Sequence, residues 1–236
     1  MRVRLAAKIA LIAMPKRSVN LMPNWTEQQL HVVGTKADID RFMRAGYTRR
    51  SKGEFDNLLH FDVLCPPERR AEQREEPADS GVVLMHWRTR TQACFDMINA
   101  WDYPADFYAA LAVEWPTLTF ACTISGEMGD FGGIVMQVGG KYVDLVEDFD
   151  GYYDRRAHMR TCRSALKRWM AFLTSGRDWR VSPDRAWELG SLPVDAHFDG
   201  NFWFYFSSRE DMAAFRARYR CTQPQRRVDG EWKRTR

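Results

Sequence analysis

QQLHVVGTKADIDRFM, residues Gln28–Met43, alternates short apolar and polar side chains up to Val33 and then turns at Gly34 into a helix start. A period of two sends successive side chains to opposite faces, which is the pattern of a half-buried strand. Thr35 stands where an N-cap hydroxyl accepts a free N–H of the first helical turn. Asp38, three residues on, places a carboxylate at the positive end of the helix dipole. Ile39, Phe42 and Met43 follow at helical spacing. The stretch is a strand–helix unit.

Downstream, LLHFDVLCPP (Leu58–Pro67) reads as a strand stopped by two prolines, and ERRAEQREEPADSG (Glu68–Gly81) as a solvated loop without apolar period. VVLMHW (Val82–Trp87) predicts a strand and Thr91–Ala100 a helix. PADFYAALAVEWP (Pro104–Pro116) predicts a second helix with Phe107, Leu111 and Trp115 on one face. TLTFACTI, GGIVMQV and KYVDLVE are strands, the last two joined by a tight hairpin at Gly139-Gly140. Strand, helix, strand, strand, helix, strands is the order of an α+β fold. It predicts a mainly antiparallel sheet with helices on one face, the ferredoxin-like sandwich.

From Asp150 the pattern changes. A long helix is expected over Arg155–Leu173, ended by Ser175-Gly176, and a short one from Pro183. NFWFYF (Asn201–Phe206) is apolar on both faces, as a central strand is. YFSSREDMAAF (Tyr205–Phe215) repeats the plan of VVGTKADIDRF (Val32–Phe42): strand, small residues, a hydroxyl cap, an acid three on, and Phe seven past the cap. The chain therefore divides into an extension over 1–21, a ferredoxin-like domain over 22–149, and a C-terminal α+β domain with a basic tail over 150–236.

With 236 residues and 45% apolar content, the chain can bury a core without disulfide or metal staples. Cys65, Cys94, Cys122, Cys162 and Cys221 form no C-x-x-C pair and are odd in number, which points away from a zinc site and a disulfide framework and toward a reducing cytoplasm. The leader MRVRLAAKIALIAMPKRSV has a basic start, but Lys8 breaks its apolar run and Pro15-Lys16-Arg17 replaces a small-residue cleavage site. Neither export nor a membrane partner is expected. VDLVEDFDGYYD (Val143–Asp154) crowds five acids without the spacing of a calcium loop, so no metal and no cofactor is expected. The five histidines form no metalloprotease motif, and neither a nucleophile elbow nor a Walker loop is present. An enzyme is not expected, unless His86, His158 or His197 meets a cysteine or carboxylate in a cleft.

Several short motifs bear on family. They are Met22-Pro23-Asn24-Trp25 at an apparent start, Pro66-Pro67 after a strand, Trp87-Arg88-Thr89-Arg90, Trp101-x-Tyr103-Pro104 before a helix, and Phe131-Gly132-Gly133. Together they resemble the YubB-type ferredoxin-like family of plasmid and phage proteins, over about Met22 to Leu145. Thr26, Gln28 and Arg88 depart from the Cys, Asn and Gly that family tends to show. The resemblance implies a ferredoxin-like fold and a mobile-element context, and carries over no biochemical activity.

The partner is read from RRAHMRTCRSALKRWMAFL. Met159, Cys162, Leu166, Trp169 and Leu173 predict a buried stripe, while Arg156, Arg160, Arg163 and Lys167 recur on another face. No acid lies between Asp154 and Asp178 to offset them, so like charges repel along that face until an anion neutralises them. The tail adds Arg226 and Arg227 near Trp232. These residues predict a non-enzymatic accessory protein of a mobile element that binds nucleic acid or a nucleoprotein. The alternative is a protein–protein interaction module that inhibits a host defence factor.

Overall fold

Thr35 Oγ1 accepts from Asp38 N at 3.2 Å, so the cap read in the sequence forms as expected. The computed structural model describes residues 25–49, 57–65, 83–100, 103–149, 152–184, 190–192, 194–199 and 203–235. The 1–21 extension, the Met22-Pro23-Asn24 start, the Glu68–Gly81 loop, Pro66-Pro67, Asp150 and Asn201-Phe202 lie outside the described residues.

In chain order the elements are β1 (Trp25–Val33), α1 (Lys36–Gly46), β2 (Tyr47–Arg49), β3 (Asn57–Leu59), α2 (Phe61–Leu64), β4 (Val83–Arg88), β5 (Gln92–Ala100) and α3 (Ala105–Glu114). Then come β6 (Thr119–Gly126), β7 (Phe131–Val138), β8 (Lys141–Asp148), α4 (Tyr152–Thr174), β9 (Trp179–Val181) and β10 (Gly190–Ser191). The chain closes with β11 (Ala196–Phe198), β12 (Phe204–Phe206), α5 (Arg209–Arg218), β13 (Gln225–Val228) and β14 (Glu231–Arg234). The fold is α+β, with a seven-stranded sheet in the order β10-β4-β5-β1-β6-β7-β8 and a five-stranded sheet in the order β11-β12-β9-β13-β14. All neighbours are antiparallel except β10 and β4.

Leu30 on β1 lies between Phe95 and Cys122, and His31 between Cys94 and Ala121, so the register sorts the strands' side chains to two faces. The Leu30 face packs under α1 and α3 through Phe42, Phe107 and Leu111. The reverse face is covered by α4, whose Cys162, Ala165, Trp169 and Leu173 rest on Val33, Ala121, Ile134 and Met136. Helices therefore cover both faces of the large sheet once the C-terminal part is counted.

Two expectations are corrected. Thr91–Ala100 is not a helix: Gln92–Ala100 is strand β5, between β4 and β1. Burial of Ala93, Cys94, Phe95 and Met97 on both faces erases the period of two that would have marked it. LLHFDVL breaks after Leu59, and Phe61–Leu64 form one helical turn whose Leu64 carbonyl accepts from Trp115 Nε1 at 3.0 Å. Pro183 bridges to Cys221, and the short helix expected to start there would run through residues 185–189, which lie outside the described residues.

The second sheet packs α5 on one face, with Met212 and Phe215 against Val181, Phe198, Phe204 and Phe206. Ser208 Oγ caps α5 by accepting from Asp211 N at 3.0 Å, so the repeated cap plan holds at both places. The two sheets are joined by backbone and by one large side chain. β10 pairs with β4, Thr89 Oγ1 donates to Ala196 O at 2.8 Å, and the Gln92 amide both donates to Phe198 O and accepts from Phe198 N. Trp87, on β4, belongs to the core of the second sheet.

Candidate functional site

Helix α4 runs 23 residues without a proline or glycine and ends where Gly176 takes φ +66. At 100° per residue, Arg156, Arg160, Arg163 and Lys167 fall within about 60° of arc, centred opposite His158, Cys162, Ala165 and Trp169. All four are exposed, while those opposite are buried. The stripe spans about 17 Å at 1.5 Å rise per residue. Among the described residues, none of its four cations forms an ion pair, and Asp38, Asp40, Glu147, Asp184 and Asp195 each pair with another base. One stripe residue is corrected: Met159 is 44% exposed, and Ala165 and His158 take the buried places.

Arg226 and Arg227 do not lie in a loose tail. They belong to a hairpin, β13–β14, turned at Asp229 (φ 53) and Gly230 (φ 81) and hydrogen-bonded to β9. As neighbours on a strand they face opposite sides of the sheet. Arg226 stands 5.4 Å over the Trp179 ring, on the side of α5, and Arg227 lies across from Trp232 on the other side. They cannot both join one surface.

On the Arg227 side is a cluster that no linear motif marks. The Arg180 guanidinium lies 4.1 Å from the Trp203 ring centroid and 4.5 Å from that of Trp232. Its Nε and Nη2 donate to Gln225 Oε1 at 2.9 and 2.6 Å, which fixes its plane between the indoles. Beneath, Tyr205 donates to Asp199 Oδ2 at 3.2 Å; burial, then that carboxylate, pushes its hydroxyl pKa up to about 12. The three stacked groups come from β9, the segment before β12, and β14, so no linear spacing relates them.

His158 does meet a cysteine and a carboxylate. Cys162 Sγ is 3.2 Å from His158 Nε2, and His158 Nδ1 is 2.9 Å from Glu147 Oε2. A thiol nucleophile needs such an order, but also a thiolate and access. Cys162 is 3% exposed in the core under α4, and burial, then the Glu147 carboxylate, raises its pKa, so the sulfur stays protonated at neutral pH. The arrangement instead ties α4 to β8. Iodoacetamide is expected to modify Cys162 only after urea lifts the helix from the sheet, as read by peptide mass spectrometry. Rapid labelling of the native chain would mark an activated nucleophile.

His197 closes the joint between α4 and the second sheet. Its Nδ1–H donates to Leu173 O at 3.2 Å, and Arg177 Nη2 donates to Nε2 at 2.8 Å, so these bonds assign the neutral tautomer. Burial, then the Arg177 charge, pushes its pKa from the ordinary 6.5 down to about 3. Between these values the unfolded chain binds the proton and the folded one does not. Stability is therefore full above pH 6.5 and is lost as pH falls toward 3. From pH 6.5 to about 5 the loss is about 2 kcal/mol. Urea unfolding of the chain and of His197→Gln checks it, because the variant should lack this part of the slope.

Among the described residues no group of three or more His, Cys, Asp or Glu could hold a metal ion, and no helix is long and apolar enough to cross a membrane. All five cysteines are free. No family model, no curated protein and no solved structure matches the chain.

Proposed function

We propose that the chain is a non-enzymatic nucleic-acid-binding protein that takes phosphates on the outward face of α4. The observation that carries this reading is the exposed stripe of Arg156, Arg160, Arg163 and Lys167, which has no acid partner among the described residues. Four like charges on one helix face repel one another in water, and a polyanion removes that repulsion while releasing its own counterions. The contacts are to backbone phosphates, so little base sequence is read.

The same reading takes β1, α1, β4, β5, α3 and β6 as a ferredoxin-like sandwich of the YubB type, in an accessory protein of a plasmid or phage. The strand order β4-β5-β1-β6, with α1 and α3 on one face, supports it. Five free thiols support a reducing cytoplasm. A module that blocks a host factor would want a contiguous apolar patch. Among the described residues, the exposed large apolar side chains Val63, Val113, Met128, Met159 and Val228 are scattered over α2, α3, the β6–β7 turn, α4 and β13, so the charged face is the better supported surface.

Fluorescence anisotropy with a labelled duplex tests the reading. Log K is expected to fall linearly with log salt, with a slope near −3.6 if all four cations meet phosphates. Absence of binding at low salt, or binding indifferent to salt, would end it.

A further inference from the structure

We infer that the face of the five-stranded sheet turned away from α5 is a stacking site for unpaired nucleotides, so single strands are bound in preference to duplex. This rests on the nucleic-acid reading above and narrows its substrate. The register places Tyr205, Arg180, Gln225 and Arg234 side by side across β12, β9, β13 and β14, with Arg227 and Trp232 in the next row. All of these side chains share one face, because directly opposed residues point the same way. α5 fills the other face.

Charge on this face has one sign along β9, β13 and β14. Arg180, Arg227 and Arg234 point to it, while Glu231, opposite Val228, points to the α5 side. Two acids lie at its margin: Asp178, just before β9, whose carbonyl accepts from Arg227 N at 2.8 Å, and Asp199, which accepts from Tyr205 Oη and from Trp203 N at 3.2 and 3.1 Å. Arg227 and Arg234 are exposed, and Trp203, Trp232 and Arg180 are partly so. A phosphate backbone crossing this face would meet arginines on two strands.

The indoles supply what phosphates do not ask for. Arg180 lies between Trp203 and Trp232 and is itself pinned to Gln225, so both rings are held in place before a ligand arrives. Little side-chain freedom remains to be lost on binding. A base gains by stacking on such a ring whatever its identity. In a duplex each base already stacks on its neighbours, so the gain is open to an unpaired strand alone. The last turn of α4 abuts this same face at its β11 edge, where His197 Nδ1 donates to Leu173 O and Phe172 stacks on His197.

Anisotropy with labelled oligo(dT) and with the matching oligo(dA)·oligo(dT) duplex tests the site. The chain is expected to prefer the single strand. Trp232→Ala and Trp203→Ala should each lower the ratio of single-strand to duplex affinity about 10-fold, and Trp232→Phe should keep most of it. Thermal midpoints exclude unfolding as the cause, and the Phe variant answers the same question if an Ala variant does not fold. Equal affinity for both forms, or variants that leave the ratio where it was, would overturn the stacking site and leave the α4 reading standing. Failure of the chain to bind either form would remove both.

Discussion

Trp87→Ala is expected to cost about 3–5 kcal/mol, the range for emptying a fully buried aromatic site. Trp87 is 1% exposed. It projects from β4 of the large sheet into the core of the small one, 4.9 Å from the Phe198 ring and 5.5 Å from that of Phe204, with His31 at 6.2 Å. The hole would open where the two sheets meet, beside Cys94 and the Gln92 amide that grips Phe198. Relaxation is limited because β10, Thr89 and Gln92 hold the backbones apart at fixed spacing. Amides of β11 and β12 should then exchange at a lower opening free energy than those of β1 and β6, since the small sheet loses its plug while the large one keeps α1 and α3. Urea unfolding with hydrogen exchange reads both effects. A loss under about 1 kcal/mol, with exchange unaltered, would mean that the sheets do not share this core.

What the sequence disclosed follows from how local each feature is. The caps at Thr35 and Ser208 use a hydroxyl and an N–H three residues apart, so spacing alone reveals them. The charged stripe of α4 was legible for the same reason, since the helical period sorts Arg156 to Lys167 away from Cys162 and Trp169. Strand β5 was not, because burial on both faces leaves no alternation to read. The β13–β14 hairpin escaped for the opposite reason: Arg226, Arg227, Glu231 and Lys233 are exposed, so no apolar face marks the strands. The Asp229-Gly230 pair was its one local sign. The site residues on the second sheet had none, because Arg180, Trp203 and Trp232 meet through strand pairing across more than fifty positions. His158 and Cys162 are one helical turn apart and could be paired by eye, whereas Glu147 reaches them from β8.

Arg160→Glu with Arg163→Glu carries the second large effect and probes the helix face itself. Both side chains are exposed and unpaired among the described residues, so reversal breaks no internal contact there, and the fold should hold. Each phosphate contact contributes about 0.9 to the slope of log K against log salt on a duplex, so losing two should flatten it by about 1.8. At about 0.1 M salt that alone weakens binding roughly 60-fold, and the new carboxylates repel the backbone further. Arg156 and Lys167, at the ends of the stripe, keep the remaining slope. A pair of salt titrations, chain against double variant, on one labelled duplex decides whether the helix face binds phosphate, with far-ultraviolet dichroism to confirm folding. The double variant is expected to show the flatter slope and the weaker binding together. Equal slopes and equal affinities in a folded variant would contradict phosphate binding by the helix face.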